Sequence, residues 1–267
     1  MEALAYKTTD ELEYVTFMNV KIDNLDFKGI NQKIRNNIEG KGYVCLTDSN
    51  NVVVAATRDQ ALLEAINESL ISIPDGTPLA WYGKLVGCKR IERIAGAELM
   101  RLMLEDSSGL KHYLLGDTEQ TIHRVMEKAK KNNKDLRITG HSPPFKEVFD
   151  QNDTLAMLAK IHQEDPDVIW VSFGGGKQDK WMQQNLHLLN RGVMIGVGAA
   201  FRYYIGEIKI PPKIIQQAGL QWFFRMLDNP GKWFRAGVPG RHLTLVANFP
   251  AELLKARKRR GRSRPPQ

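Results

Sequence analysis

Asp167-Val168-Ile169-Trp170-Val171-Ser172-Phe173-Gly174-Gly175-Gly176 is the stretch that decides the fold. A short, almost wholly apolar run stops at three glycines, and residues 177–189 return at helical spacing. A strand apolar on both faces has to be covered on both faces, which implies a mainly parallel sheet between helices. The same unit recurs in both directions. Residues 43–47 read as a buried strand, 52–70 as a helix (Val54, Leu62, Leu63, Ile66) and 69–73 as a second strand stopped by Pro74-Asp75-Gly76. Helices are expected over 77–86, 97–105, 119–131 and 154–162, and strands over 111–115, 136–139 and 193–197. The fold class is α/β, Rossmann-like, with loops after the strands converging on one edge, where such sheets bind ligands.

The chain divides by charge as well as by pattern. Its 267 residues carry a net charge of +8, from 38 Lys and Arg against 30 Asp and Glu. Residues 1–200 hold 24 basic and 27 acidic side chains, whereas residues 201–267 hold 14 basic and 3 acidic. Two domains are therefore expected: an α/β body over 1–200, and a basic, aromatic C-terminal appendage over 201–267 with a disordered tail. The run 255–264 has seven basic residues and no acid. Such a run suits nucleic acid, but residues 201–235 are apolar-aromatic too, which fits the interface of an anionic bilayer better. No nucleic-acid partner is expected. A non-catalytic nucleotide-binding module is the other alternative.

No stretch of 18 apolar residues is present, and the first residues have no basic head and apolar core. With two isolated cysteines, Cys45 and Cys88, a cytoplasmic chain is the expectation. Six scattered histidines without ligand spacing make a metal site unexpected.

The loops carry the candidate chemistry. Asp75, between an apolar strand and a glycine, suits a general base for a hydroxyl nucleophile; a turn aspartate capping the helix near Thr77 is the plainer reading. Gly174, Gly175, Lys177 and Gln178 join a strand to a helix start, where exposed amides suit phosphate; tight packing explains the glycines equally. Gly198 after the last strand has the same two readings. Thr47 and Ser49 can contact a ligand, or Ser49 can cap the next helix. Arg93 and Gly96 precede another helix, as Gly116 does.

Taken together, residues 43–228 resemble the WecG/TagA/CpsF family of bacterial glycosyltransferases. The resemblance rests on Pro74-Asp75-Gly76, Glu92-Arg93-Ile94-Ala95-Gly96, Leu114-Leu115-Gly116 and Ser142-Pro143-Pro144-Phe145. It continues through Phe173-Gly174-Gly175-Gly176-Lys177-Gln178-Asp179-Lys180-Trp181, Gly196-Val197-Gly198-Ala199-Ala200-Phe201, and 219–225. It implies an inverting transferase that moves a hexose from a UDP-sugar to an undecaprenyl-pyrophosphate-linked saccharide in surface-polysaccharide assembly. No metal or other cofactor is implied. Asp75 becomes the base, Thr47 and Gln178 become pocket residues, and Arg225 and Arg235 are the positions that could clamp pyrophosphate. The resemblance also implies a peripheral protein on the inner face of the cytoplasmic membrane, and homo-oligomers are common in the family. The chain departs from the family at Thr47-Asp48-Ser49-Asn50-Asn51, at Asp75-Gly76-Thr77-Pro78, and at Phe201-Arg202, where an acidic donor contact gives way to arginine. Phe201 and Arg202 are accordingly donor-site candidates, and the donor sugar is left open.

Overall fold

A computed structural model describes residues 12–106, 109–217, 220, 223, 231 and 237–262. Its centre is a six-stranded parallel sheet of β3 (Lys41–Thr47), β4 (Ile71–Pro74), β5 (Lys111–Gly116), β6 (Arg137–His141), β7 (Val168–Ser172) and β8 (Gly192–Gly196). The spatial order is β4-β3-β8-β7-β5-β6, and every pairing is parallel.

Successive side chains of a strand point to opposite faces, and the core divides accordingly. Tyr43 and Cys45 of β3, Ile169 and Val171 of β7, and Met194 of β8 join one cluster. Val44 and Leu46, Val168 and Trp170, and Val193 and Ile195 join the other. The first face is covered by α2 (Ser49–Thr57), α3 (Gln60–Asn67), α4 (Thr77–Leu85), α7 (Gln151–Glu164) and α8 (Lys177–Asn185). The second is covered by α1 (Phe27–Arg35), α5 (Gly96–Glu105), α6 (Glu119–Asn132) and α9 (Ala200–Ile205). Beyond these lie the short α10 (Lys213–Gln217) and the long α11 (Val238–Arg262).

Several sequence expectations change. The single helix over 52–70 is two, because Asp59 accepts the Leu62 N–H at 3.0 Å and starts α3 afresh. Ser69 and Leu70 precede the strand; the Ser69 hydroxyl instead donates to Ile66 O. The helix from 177 ends at Asn185 and tightens into a 3-10 turn over Leu186–Leu188. Asp48, not Ser49, caps α2, accepting the Asn51 N–H at 2.7 Å. Trp181 is core, edge-on to Phe173. The sequence reading passed over an antiparallel hairpin of β1 (Tyr14–Phe17) and β2 (Val20–Asp23). The Asp23 carboxylate accepts the Ser72 N–H at 2.8 Å, so the hairpin occupies a main-chain donor on the exposed side of edge strand β4.

The residue-200 boundary falls at the start of α9, whose Phe201 is fully buried in the second-face core. α11 packs on α2 and α4 through Leu245, Phe249 and Leu253. Phe249 lies 5.9 Å from the rings of both Phe17 and Tyr82. Among the described residues no helix is long and apolar enough to cross a membrane. The tail expected to be disordered begins beyond the described residues.

Candidate active site

The carboxyl ends of β3, β4, β7 and β8 surround a cavity of about 810 Å³. Asp75 reaches it from the turn after β4. Its N–H donates to Thr47 O at 3.0 Å, and its carbonyl accepts Arg93 Nε at 3.0 Å, so the turn is fastened from both sides. Gly76 is the N-cap of α4, with no side-chain capping bond. The half-buried Asp75 carboxylate lines the cavity. Gly76 packs closely on α2: a Cβ there would sit 3.1 Å from Ser49 Oγ.

The two glycine loops meet across the same space. Gln178 Oε1 accepts the Gly198 N–H at 2.9 Å, tying the loop after β8 to the start of α8. A Cβ on Gly196 would stand 2.7 Å from Met182 Cε and 3.0 Å from Gln178, so a larger residue would have to displace both side chains. Gly176 has φ +77°, a left-handed backbone suited to glycine. Asp179, next to Gln178, is 1% exposed and accepts the Gly176 N–H at 3.1 Å. Burial pushes its carboxyl up to about 6, against hydrogen bonds from the Cys45 thiol and the Gly176 amide that lower it.

The outer wall is built by α5 and by the segment 206–217. Arg101 of α5 pairs with Glu105 at 2.6 Å, and Lys128 of α6 donates to Tyr204 O at 2.6 Å. With Asp48, Asp75, Glu98, Arg93 and Lys209, the lining carries four acids and four bases, a mixed field rather than an anion trap.

Of the residues expected from sequence, Asp75, Arg93, Gly96, Gly175, Gln178 and Gly198 line the cavity. Thr47, Ser49, Gly116, Gly174, Lys177, Phe201 and Arg202 do not. The Thr47 hydroxyl is buried 3.0 Å from Ser72 Oγ. Lys177 lies 4.0 Å over the Phe149 ring and donates to Lys146 O. Arg202 forks onto Asp117 at 2.9 and 3.0 Å. Gly116, at φ +111°, lets β5 end against the Ser172 carbonyl. Arg225 and Arg235 lie outside the described residues. Sequence reasoning missed Asn51, Lys128, Tyr203 and Gln216 among the lining residues. Asn51 stands four residues after Thr47 in a segment already singled out; the other three belong to no motif.

Residues 15–262 match the family described as Glycosyl transferase WecG/TagA/CpsF family, more of the chain than the motifs over 43–228. Among curated relatives, one from Bacillus subtilis (strain 168) is 26% identical over 245 residues, 89% of this chain and 91% of the relative. One from Bacillus spizizenii (strain ATCC 23059 / NRRL B-14472 / W23) is 25% identical over 78% of this chain and 80% of the relative. One from Staphylococcus aureus (strain NCTC 8325 / PS 47) is 24% identical over 92% and 94%. All three are named N-acetylglucosaminyldiphosphoundecaprenol N-acetyl-beta-D-mannosaminyltransferase.

Proposed function

This chain belongs to the WecG/TagA/CpsF family of glycosyl transferases, and from that premise we propose that it is an inverting hexosyltransferase. It takes a hexose from a UDP-sugar and passes it to a saccharide carried on undecaprenyl diphosphate. The similarity to relatives named for a diphosphoundecaprenol acceptor supports the acceptor class. The observation that carries the mechanism is Asp75, a carboxylate lining the cavity on a turn bonded to Thr47 and Arg93.

In the reaction, the acceptor hydroxyl gives its proton to the Asp75 carboxylate while its oxygen bonds to the anomeric carbon. The bond from that carbon to the UDP oxygen breaks on the opposite face, and the electron pair leaves with the diphosphate. Cationic side chains stabilise that charge without a metal. Arg93 and Lys209 are the candidates in the cavity, with Arg225 and Arg235 of the appendage held for the same task. The Gly198 amide is already taken by Gln178, so the loop after β8 offers phosphate less than its glycines suggest.

A peripheral membrane position completes the reading. One face of α11 leaves Leu243, Val246 and Leu254 exposed with Pro250 and Ala251 between them, and Arg257 and Lys258 follow, also exposed. An apolar face beside cations suits an anionic lipid interface.

The test is UDP release across UDP-hexoses with a lipid-diphosphate saccharide acceptor. Asp75→Asn should lower turnover by about 10²–10⁴-fold, the usual contribution of a general base, with UDP affinity retained. Near-wild-type turnover in that variant removes Asp75 as the base.

A further inference from the structure

We propose that Gln216 is a positioning residue of this enzyme, joining the segment 206–217 to the Asp75 turn through Arg93. Three hydrogen bonds meet on it from three parts of the chain. Arg93 Nη1 donates to Gln216 Oε1 at 3.2 Å. Thr77 Oγ1, two residues beyond Asp75, donates to the Gln216 carbonyl at 2.7 Å. Gln216 Nε2 donates to Pro211 O at 2.7 Å, which folds the segment back on itself.

The same guanidinium that reaches Gln216 also donates Nε to the Asp75 carbonyl at 3.0 Å. Arg93 is thus a rigid fork with one tine on the Asp75 turn and the other on the outer wall of the cavity. Gly206, Ile208, Lys209, Pro211 and Gln216 all line that cavity. Gln216 therefore does two things at once. It holds the wall in place, and it fixes the orientation of Arg93 against the backbone of Asp75. The amide suits this position because its oxygen takes the arginine while its nitrogen serves Pro211; no single carboxylate or ammonium does both. The catalytic half of the proposal rests on Asp75 being the base.

The experiment compares Gln216→Ala, Gln216→Glu, Arg93→Ala and the Arg93→Ala/Gln216→Ala double variant of the full chain. Turnover is followed with UDP-sugars, and hydrogen exchange with the amides of 206–217. Gln216→Ala should lower kcat roughly 10- to 100-fold, the scale of a misplaced catalytic group, with donor KM within about twofold. Gln216→Glu, which keeps an acceptor for Arg93 but has no donor for Pro211, should recover only the part of that loss that runs through Arg93. The double variant should lose less than the product of the two single losses, since both single variants break the Arg93–Gln216 contact. Exchange of the segment should rise in both Gln216→Ala and Arg93→Ala, and more in Gln216→Ala, which also loses the bond to Pro211. Wild-type kcat in Gln216→Ala, additive losses in the double variant, or unchanged exchange in Gln216→Ala would each overturn the proposal. Should the wild-type chain turn over no UDP-sugar, the transferase reading falls, and the exchange data alone decide whether Gln216 joins the wall to the turn.

Discussion

Two buried titratable groups make opposing contributions to the chain's response to pH. Burial raises the Asp179 carboxyl to about 6, so between pH ~4 and ~6 the folded state holds a proton that the unfolded chain has lost. Stability from this group falls as pH rises through that window. His112 is buried on β5, accepts Trp170 Nε1–H at 3.2 Å, and has its pKa lowered to about 4 by desolvation. Between pH ~4 and ~6.5 the unfolded chain binds the proton instead, so stability from His112 rises with pH. Each shift corresponds to roughly 3 kcal/mol, and together they nearly cancel. Asp179→Asn removes one side of the balance. Urea unfolding should show the variant gaining on wild type by about 3 kcal/mol from pH 4 to pH 7; a constant difference would mean that Asp179 is already ionised at pH 4. Residues differ in how readily the sequence reveals them. Asp75 was legible as a cavity residue because the loops after parallel strands border the ligand crevice, while its reading as a base came with the family resemblance. Gln216 was not, because its partners are 123 and 139 residues away and nothing local marks it.

Elements read well where one periodicity dominates. The continuously apolar β3, β7 and β8 are paired at the centre of the sheet, and their alternate residues feed the two cores. The hairpin of β1 and β2 was passed over because each strand has only four residues and its turn uses Met18 and Asn19 at positive φ, not glycine. The helix of 52–70 was read as continuous because its apolar spacing survives the break; the signal lay in Asp59, whose cap is a polar contact that hydropathy does not register. Gly116 shows an element-level constraint that resembles a functional one. A Cβ there would lie 2.5 Å from Ser172 O, with φ at +111°. Gly116→Ala should cost about 2–3 kcal/mol and lower the melting temperature by roughly 5–10 °C, without changing UDP affinity at a temperature where the chain is folded. A loss of UDP affinity with unchanged melting would make Gly116 a ligand contact after all.

At the scale of the whole molecule, the uneven charge was legible from the sequence, but the docking of the last helix was not. α11 is apolar on two sides: Leu245, Phe249 and Leu253 pack inward, while Leu243, Val246 and Leu254 face out. Periodicity cannot say which side meets the protein. The packing against Phe17 and Tyr82 decides it, aided by Arg241 Nε donating to the Asn50 side chain. The outward stripe spans 12 residues, about 16 Å of helix, long enough to lie along a bilayer surface and too short to cross it. Arg257 and Lys258 sit beyond its end, and each cation near an anionic surface adds about 1 kcal/mol. Replacing Leu243, Val246 and Leu254 together with serine removes the stripe and leaves the inward face intact. That variant should lose co-sedimentation with anionic vesicles while melting within about 2 °C of wild type, because surface substitutions change stability little. Turnover on a soluble, short-chain analogue of the lipid acceptor should persist, separating membrane attachment from chemistry. If the serine variant still sediments with the vesicles, the stripe is not the attachment surface. Sedimentation lost only at high salt would assign attachment to the cations instead, since apolar insertion is not screened and ion pairing is.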